Sequence, residues 1–347
     1  MKLALITDLH LDYQKNNDRF YNFFMKFYKE VFFPYLEEND IKTIVDLGDT
    51  FDHRRTLDIN RISKIKEDFF DYISGKYDFH MIIGNHDIYY RDTNEVNTPQ
   101  SLLKNYGDSI KIYSSVQDVH FGDLKITLCP WINKNNKEKT LSHIEDSDAE
   151  VLFGHLELNN FELHSGFFMS GSEFDAEMFK NYKMVLSGHY HHRSSNGNIY
   201  YLGNPYQMTW SDYNDIRGFH IFDTETLELE FHENPFNIFE KIYYNDKSSN
   251  YSLETFNFDL YKNKIIKIIV ENKDNESHFD LFLSKLEESK PHEIKVLDYI
   301  EHIEYVQKTS EDDVVISMLN YINLNHPQFP KPKVRDTLNG IYQESAY

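Results

Sequence analysis

Short apolar runs alternate with helix-length amphipathic stretches through the first half of the chain, the order expected of layered α/β packing. Residues 3–6 read as a strand. From 18 to 37, Phe20, Phe23, Phe24, Phe27 and Val31 fall at helical spacing and predict a helix. A strand at 43–47, a helix over about 59–73 and a strand at 79–83 follow. Further strands are expected at 125–128, 150–153, 183–186 and 199–202, and a hairpin joins 218–223 to 227–233 through a turn at 224–226.

The pattern changes after Asn234-Pro235. A β-branched strand at 264–270, a helix at 279–286 and a strand at 294–297 make a small α+β unit. Beyond it, 312–322 is amphipathic, Pro327, Pro330 and Pro332 break the chain, and a last helical stretch covers 334–342. Three domains are therefore expected: a main α/β domain over 1–235, a small α+β domain over 240–305 and a helix-loop-helix over 310–347. No internal repeat or low-complexity tract is visible.

Composition alters this picture in three places. With 347 residues, 40% of them hydrophobic and 27 Phe beside 25 Tyr, a sizeable core is available. Cys129 is the only cysteine, so neither a disulfide framework nor a thiolate zinc site is possible, and a buried structural thiol is expected. No apolar stretch approaches the roughly 20 residues needed to span a bilayer, and no basic leader precedes the first strand; an intracellular, soluble protein with no membrane partner is expected. The formal charge of −21 sits awkwardly with nucleic acid, because duplex binding depends on neutralised phosphates. One segment runs the other way: His53, Arg54, Arg55, Arg61, Lys64 and Lys66 crowd together. A solvated helix face accounts for such a run as well as DNA contact does; its place just after Asp49 and Asp52, carboxylates able to hold a metal ion, favours His53, Arg54, Arg55 and Arg61 as DNA contacts.

Five times a predicted strand ends in a turn that delivers Asp, Asn or His. Asp8-Leu9-His10 follows the first strand, and an extended backbone there would point both side chains to one side. Gly48-Asp49-Thr50-Phe51-Asp52 follows the second; Asp49 lies off the strand's carboxyl end, and its two oxygens suit a bridge between cations. Gly84-Asn85-His86-Asp87 offers a neutral oxygen ligand and a proton donor. Gly154-His155 and Gly188-His189-Tyr190-His191 complete the series. Any one of these is more often a turn residue or a satisfied histidine. Five in the same context, with complementary donors, point to a metal centre.

In this order the motifs resemble the calcineurin-like metallophosphoesterase family over roughly residues 1–205. The resemblance implies two stacked βαβ-derived sheets with a dinuclear site at their edge. Carried over motif by motif, it gives Asp8, His10 and His191 to one metal, Asn85, His155 and His189 to the other, and Asp49 to both. It makes His86 a substrate-facing acid or charge stabiliser rather than a ligand, with Asp52 orienting its ring and favouring its protonated form. Oxygen and imidazole donors without thiolate suit manganese, iron or zinc; the DNA-cutting branch of the family puts manganese first, with magnesium, iron or zinc as alternatives.

Gly203-Asn204-Pro205-Tyr206, Arg217-Gly218-Phe219 and Cys129-Pro130-Trp131 look like segments of SbcD-type nucleases, the last especially like the tailed-phage members. Asn204 replaces the commoner serine, which bears on phosphate contacts but on no ligand. The resemblance implies a metal-dependent DNA exonuclease and single-strand endonuclease acting in recombination and repair, in the cytoplasm of a bacterium or phage-infected host. It makes 240–305 a DNA-capping domain, 310–347 the dock for an SbcC-type coiled-coil ATPase, and the chain a homodimer through helices near its amino terminus, where Phe20, Phe23, Phe24 and Phe27 serve equally well as core. Two other readings stand beside it. A phosphodiesterase or phosphatase for small molecules or phosphoproteins would not call for the amphipathic tail, and a non-catalytic scaffold would not call for a complete ligand set.

Overall fold

The apolar runs become strands whose limits fall within two residues of those expected. The structure, a computed structural model, describes residues 1–14, 17–164 and 167–298. In chain order the strands are β1 (Lys2–Ile6), β2 (Thr43–Asp46), β3 (Asp78–Ile82), β4 (Ile110–Tyr113), β5 (Gln117–Phe121), β6 (Leu124–Cys129), β7 (Val151–His155), the small hairpin β8 (Glu162–His164) and β9 (Phe167–Phe168), β10 (Met184–Gly188), β11 (Ser194–Asn196), β12 (Ile199–Tyr201), β13 (Gly218–Asp223) and β14 (Leu229–Glu233). One six-stranded sheet runs β14-β13-β1-β2-β3-β4 and the other β11-β12-β10-β7-β6-β5. β1 to β4 are mutually parallel, as are β6, β7, β10 and β12. Parallel pairing sends the carboxyl ends of a sheet's central strands to one edge, and the motif loops all leave from such ends.

The expected two-sheet α/β sandwich is the architecture found, and period-two alternation builds its centre. Leu3, Leu5, Val45, Leu47 and Ile82 of the first sheet share one buried cluster with Ile126, Leu128, Val151, Phe153 and Leu186 of the second. Each such side chain contributes about 1.5–3 kcal/mol by leaving water. β4 and β5 were not expected from the sequence. Both lie at sheet edges, where only one face needs to be apolar, and most of their residues are half-buried or exposed.

The long amphipathic stretch is helical as expected, in three pieces. α1 (Asp18–Phe27) starts where the Asn17 side chain accepts from the Arg19 N–H, a π-helical turn covers Tyr28–Phe32, and α2 (Phe33–Glu38) continues to the end. Pro34 supplies the reason for the π register. It has no N–H for the Glu30 carbonyl, and the Phe33 N–H reaches back to Tyr28 instead. Phe24 and Phe27 are fully buried within this chain and Phe20 nearly so, while Phe23 is half-buried, so the core reading holds for Phe20, Phe24 and Phe27. Phe24 stacks on Tyr206, centroids 3.8 Å apart and planes 11° from parallel, and the Tyr206 hydroxyl donates to the Leu9 carbonyl. The helix is thereby tied to the loop after β1. The second helical stretch, expected over 59–73, is likewise α-helical at Ile59–Ile65 and Asp71–Ile73 with a π turn at Lys66–Phe70 between.

The chain divides into two units, Met1–Phe239 and Glu240–Tyr347. In the second, β15 (Phe239–Asn245), β16 (Ile265–Asn272) and β17 (Glu293–Asp298) form a three-stranded sheet in that order. A helix at Glu276–Glu288 lays Phe279, Phe282 and Leu286 against Ile242, Tyr244, Ile266 and Ile268. The expected helix-loop-helix at 310–347 and the end of the expected 240–305 domain lie outside the described residues. No helix among the described residues is long and apolar enough to cross a membrane.

Replacing Phe24 by alanine removes a fully buried ring and its stack on Tyr206. A stability loss of about 3–5 kcal/mol is expected, read as a lowered denaturant midpoint for the first unit.

Candidate metal centre

The five motif loops meet where the edges of the two sheets face each other. β1 ends at Ile6, and the next residues do not continue as a strand: Asp8 has φ 52° and His10 φ 41°. The expected extended arrangement is therefore replaced by a left-handed turn, a conformation that aspartate and histidine adopt more readily than bulkier residues. The turn is held by the neighbouring loop, because Asp8, His10 and Leu11 donate their N–H groups to the carbonyls of Gly48, Asp49 and Thr50 at 2.9–3.0 Å. Gly48 has φ 98°, and a Cβ there would lie 2.6 Å from His155 Nδ1 and 2.9 Å from the Gly84 nitrogen. Only glycine lets three loops close so tightly.

Seven side chains converge. Asp8, His10 and His191 bring one donor atom each to within 4.8 Å of one another, and Asp49, His155 and His189 do the same. Asn85 Oδ1 is 3.1 Å from His155 Nε2, adding a neutral oxygen to the second group. Asp49 Oδ2 lies 3.3 Å from His155 Nε2 and 4.0 Å from His10 Nε2, between the two groups. His10 Nε2 and His191 Nε2 face each other at 3.2 Å. Each group takes donors from both sheets: the loops after β1, β2 and β3 supply Asp8, His10, Asp49 and Asn85, and β7 with the loop after β10 supplies His155, His189 and His191. Oxygen and imidazole donors in two such sets fit divalent ions of the manganese, iron or zinc kind.

Buried supports hold these donors in place. His155 Nδ1 donates to the Leu47 carbonyl at 2.7 Å, which leaves Nε2 turned toward Asn85 and Asp49. Asp87 accepts from the N–H groups of Asp49, Gly84 and Phe51 at 2.9–3.1 Å, locking the β2 and β3 loops together. Asp46 accepts from the Gly48 N–H and the Thr50 hydroxyl. Arg217 donates to the His191 carbonyl and to Asn204, and pairs with Asp212 and Asp215. Asn204 is thus a buried prop behind His191 rather than a surface contact. The Trp131 ring packs beside His189 at 5.1 Å. Neither Asp46 nor Asp87 has a role in the motif pattern of the sequence. The signal was there in Asp46, a charged residue closing an otherwise apolar strand.

The electrostatics follow from burying so many carboxylates together. Burial raises Asp8 and Asp46 above the usual carboxylate range, and burial with the Asp49 charge pushes Asp87 to about 7. Burial opposes charge on Asp49 too, yet His155, His86 and His10 outweigh it and hold this carboxyl well below the usual range. Burial alone would lower His10 and His155. The hydrogen bond to Asp52 and the surrounding aspartates lift His10 to about 9, and Asp49 and Asp8 do the same for His155. The imidazoles serve here as counter-charges to the carboxylates, a part that divalent cations fill without forcing protons onto the rings.

Three sequence-based expectations change. Asp52 holds His86 through its main chain, since His86 Nδ1 meets the Asp52 carbonyl at 2.9 Å. The Asp52 carboxylate lies nearer His10 Nδ1, at 3.2 Å, than His86, at 3.7 Å. Burial lowers the His86 pKa, against the expected bias to the protonated ring. Among the expected DNA contacts, Arg61 is only 2% exposed, paired with Asp18 at 2.9 Å and stacked over Tyr21 at 4.2 Å; it is a structural residue. His53 lies between Asp12 and Asp52, at 3.2 and 3.3 Å, and Arg54 is half-buried. Arg55 is exposed.

Comparison with known proteins follows the same line. The family model described as "Calcineurin-like phosphoesterase" matches residues 1–193. Exonuclease subunit 1 of Enterobacteria phage T4 is 30% identical over 329 residues, 93% of this chain and 92% of that protein. The D subunit of the nuclease SbcCD from Staphylococcus epidermidis (strain ATCC 12228 / FDA PCI 1200) is 23% identical over 98% of this chain and 99% of that protein. A solved archaeal phosphodiesterase covers 67% of this chain and 100% of its own at 16% identity and a TM-score of 0.35, too slight a likeness to carry weight.

Asp87→Ala leaves three N–H groups without their acceptor and loosens the loop that carries Asp49. Manganese affinity, measured by calorimetric titration, should fall about 10–100-fold, although Asp87 stands in neither donor group.

Proposed function

The chain belongs to the calcineurin-like phosphoesterase family, and on that premise we propose that it is a metal-dependent DNA nuclease that hydrolyses phosphodiester bonds. The observation that carries the reading is the convergence of two oxygen–imidazole donor groups around Asp49. Relatives that align along nearly their whole lengths carry the names exonuclease subunit and nuclease subunit, which supports DNA as the substrate.

In this reading Asp8, His10 and His191 hold one ion, Asn85, His155 and His189 the other, and Asp49 both, with manganese the ion in use. Two bound divalent ions supply Lewis acidity toward a phosphate and an acidified water. The chain's own residues do the rest. His86 Nδ1 is fixed by the Asp52 carbonyl, so Nε2 is the ring atom turned to the substrate and gives its proton to the leaving oxygen. The phosphate's negative charge offsets the burial that otherwise disfavours the protonated ring. Asp52, through its carboxylate, keeps the His10 ring in place.

The second unit would act as a cap that selects DNA, with the tail at 310–347 docking an SbcC-type ATPase and the chain working as a homodimer. The charge of −21 supports a partner, since a surface this acidic gains little from DNA phosphates alone.

With manganese, end-labelled duplex and circular single-stranded DNA should both be cut, and Asp49→Asn should abolish cutting. His86→Asn should keep its bound metal while turnover falls about 10²-fold or more. A wild-type protein inert on DNA but active on a cyclic nucleotide would favour the small-molecule phosphodiesterase instead.

A further inference from the structure

Beyond His86 the loop after β3 runs out to the surface. Ile88 bridges Asn97 and the Tyr89 N–H bonds the Val96 carbonyl at 2.9 Å, so residues 89–96 form a short loop on a firm base. At its start Tyr89 is 39% exposed and Tyr90 51%, their rings in edge contact with centroids 4.7 Å apart. The loop after β2 runs beside it. The two touch first where His86 meets the Asp52 carbonyl, and again three residues further along each, where the Arg55 guanidinium lies over the Tyr89 ring at 5.5 Å. Three residues span at most about 11 Å, so the aromatic pair stands within a few nucleotides of the metal centre.

We propose that Tyr89, Tyr90 and Arg55 form a stacking platform for unpaired bases of the strand whose phosphate lies at the metal centre. The proposal rests on the nuclease reading and adds to it a preference for DNA with unpaired nucleotides beside the cut. Two partly exposed aromatic rings next to a phosphodiester site suit a base of any identity, because every base has a π face. Bases inside a duplex are already stacked on their neighbours and cannot use them. Arg55 adds a cation that both stacks on Tyr89 and reaches a phosphate, a local exception in a chain of net charge −21. All three side chains are exposed, so their replacement should leave the fold intact.

The test is steady-state cleavage, by the full-length chain with manganese, of a single-stranded oligonucleotide, with a blunt duplex of the same sequence as a second substrate or competitor. The Tyr89→Ala/Tyr90→Ala double variant should raise KM for the single strand about tenfold or more, the lower end of what a stacked base is worth. The duplex constant should move less than about twofold, and Tyr89→Phe/Tyr90→Phe should restore the wild-type KM. An unchanged single-strand KM, an equal loss on both DNAs, or a phenylalanine variant as weak as the alanine one would each overturn the platform while leaving the nuclease intact. A wild-type chain that hydrolyses bis(4-nitrophenyl) phosphate but cuts no DNA would overturn the nuclease reading itself, and the platform with it.

Discussion

Four aspartates withdrawn from water at the strand ends of one sheet set the terms for the whole first unit. Asp8, Asp46, Asp49 and Asp87 are each at most 1% exposed. A buried carboxylate survives only with hydrogen bonds or opposite charge, and the architecture supplies both. Asp46 and Asp87 take the N–H and hydroxyl groups of the loops around them, while Asp8 and Asp49 face imidazoles from the opposite sheet. The left-handed turns at Asp8, His10 and Asp49, and the glycine at 48, are the backbone consequences of aiming these groups inward.

Division of labour among the carboxylates separates support from chemistry. Those saturated by main-chain donors are already occupied as hydrogen-bond acceptors and shape the loops. Asp49 keeps one oxygen on the His86 N–H and presents the other between His10 and His155. The same logic distinguishes Arg217, whose terminal nitrogens are engaged by Asp212, Asp215, Asn204 and the His191 carbonyl, from Arg55, which is exposed over the Tyr89 ring.

Much of this was legible in the sequence. Strands buried on both faces announce themselves as β-branched and apolar runs, and the glycine-led turns after them mark where donors emerge. Edge strands such as β4 and β5 escaped because half their residues answer to solvent. The Asp8–His10 geometry escaped because residue spacing carries no information on the sign of φ. Arg61 was misjudged because a charge in a basic run looks the same whether it meets water or, as here, Tyr21 and Asp18. Asp87 was hidden for a related reason: its partners are backbone N–H groups, which leave no mark in the sequence.

The two donor groups each span both sheets, and this has a thermodynamic side. An ion bound by side chains from the two sheets is bonded to the closed sandwich and to no unfolded chain in the same way. Its binding energy is then linked to folding, adding about 2.7 kcal/mol of stability when free metal stands a hundredfold above its dissociation constant. Ion supply would set how firmly the two sheets are clasped as well as how fast the site turns over. A cell short of the ion would hold a looser molecule as well as a slower one.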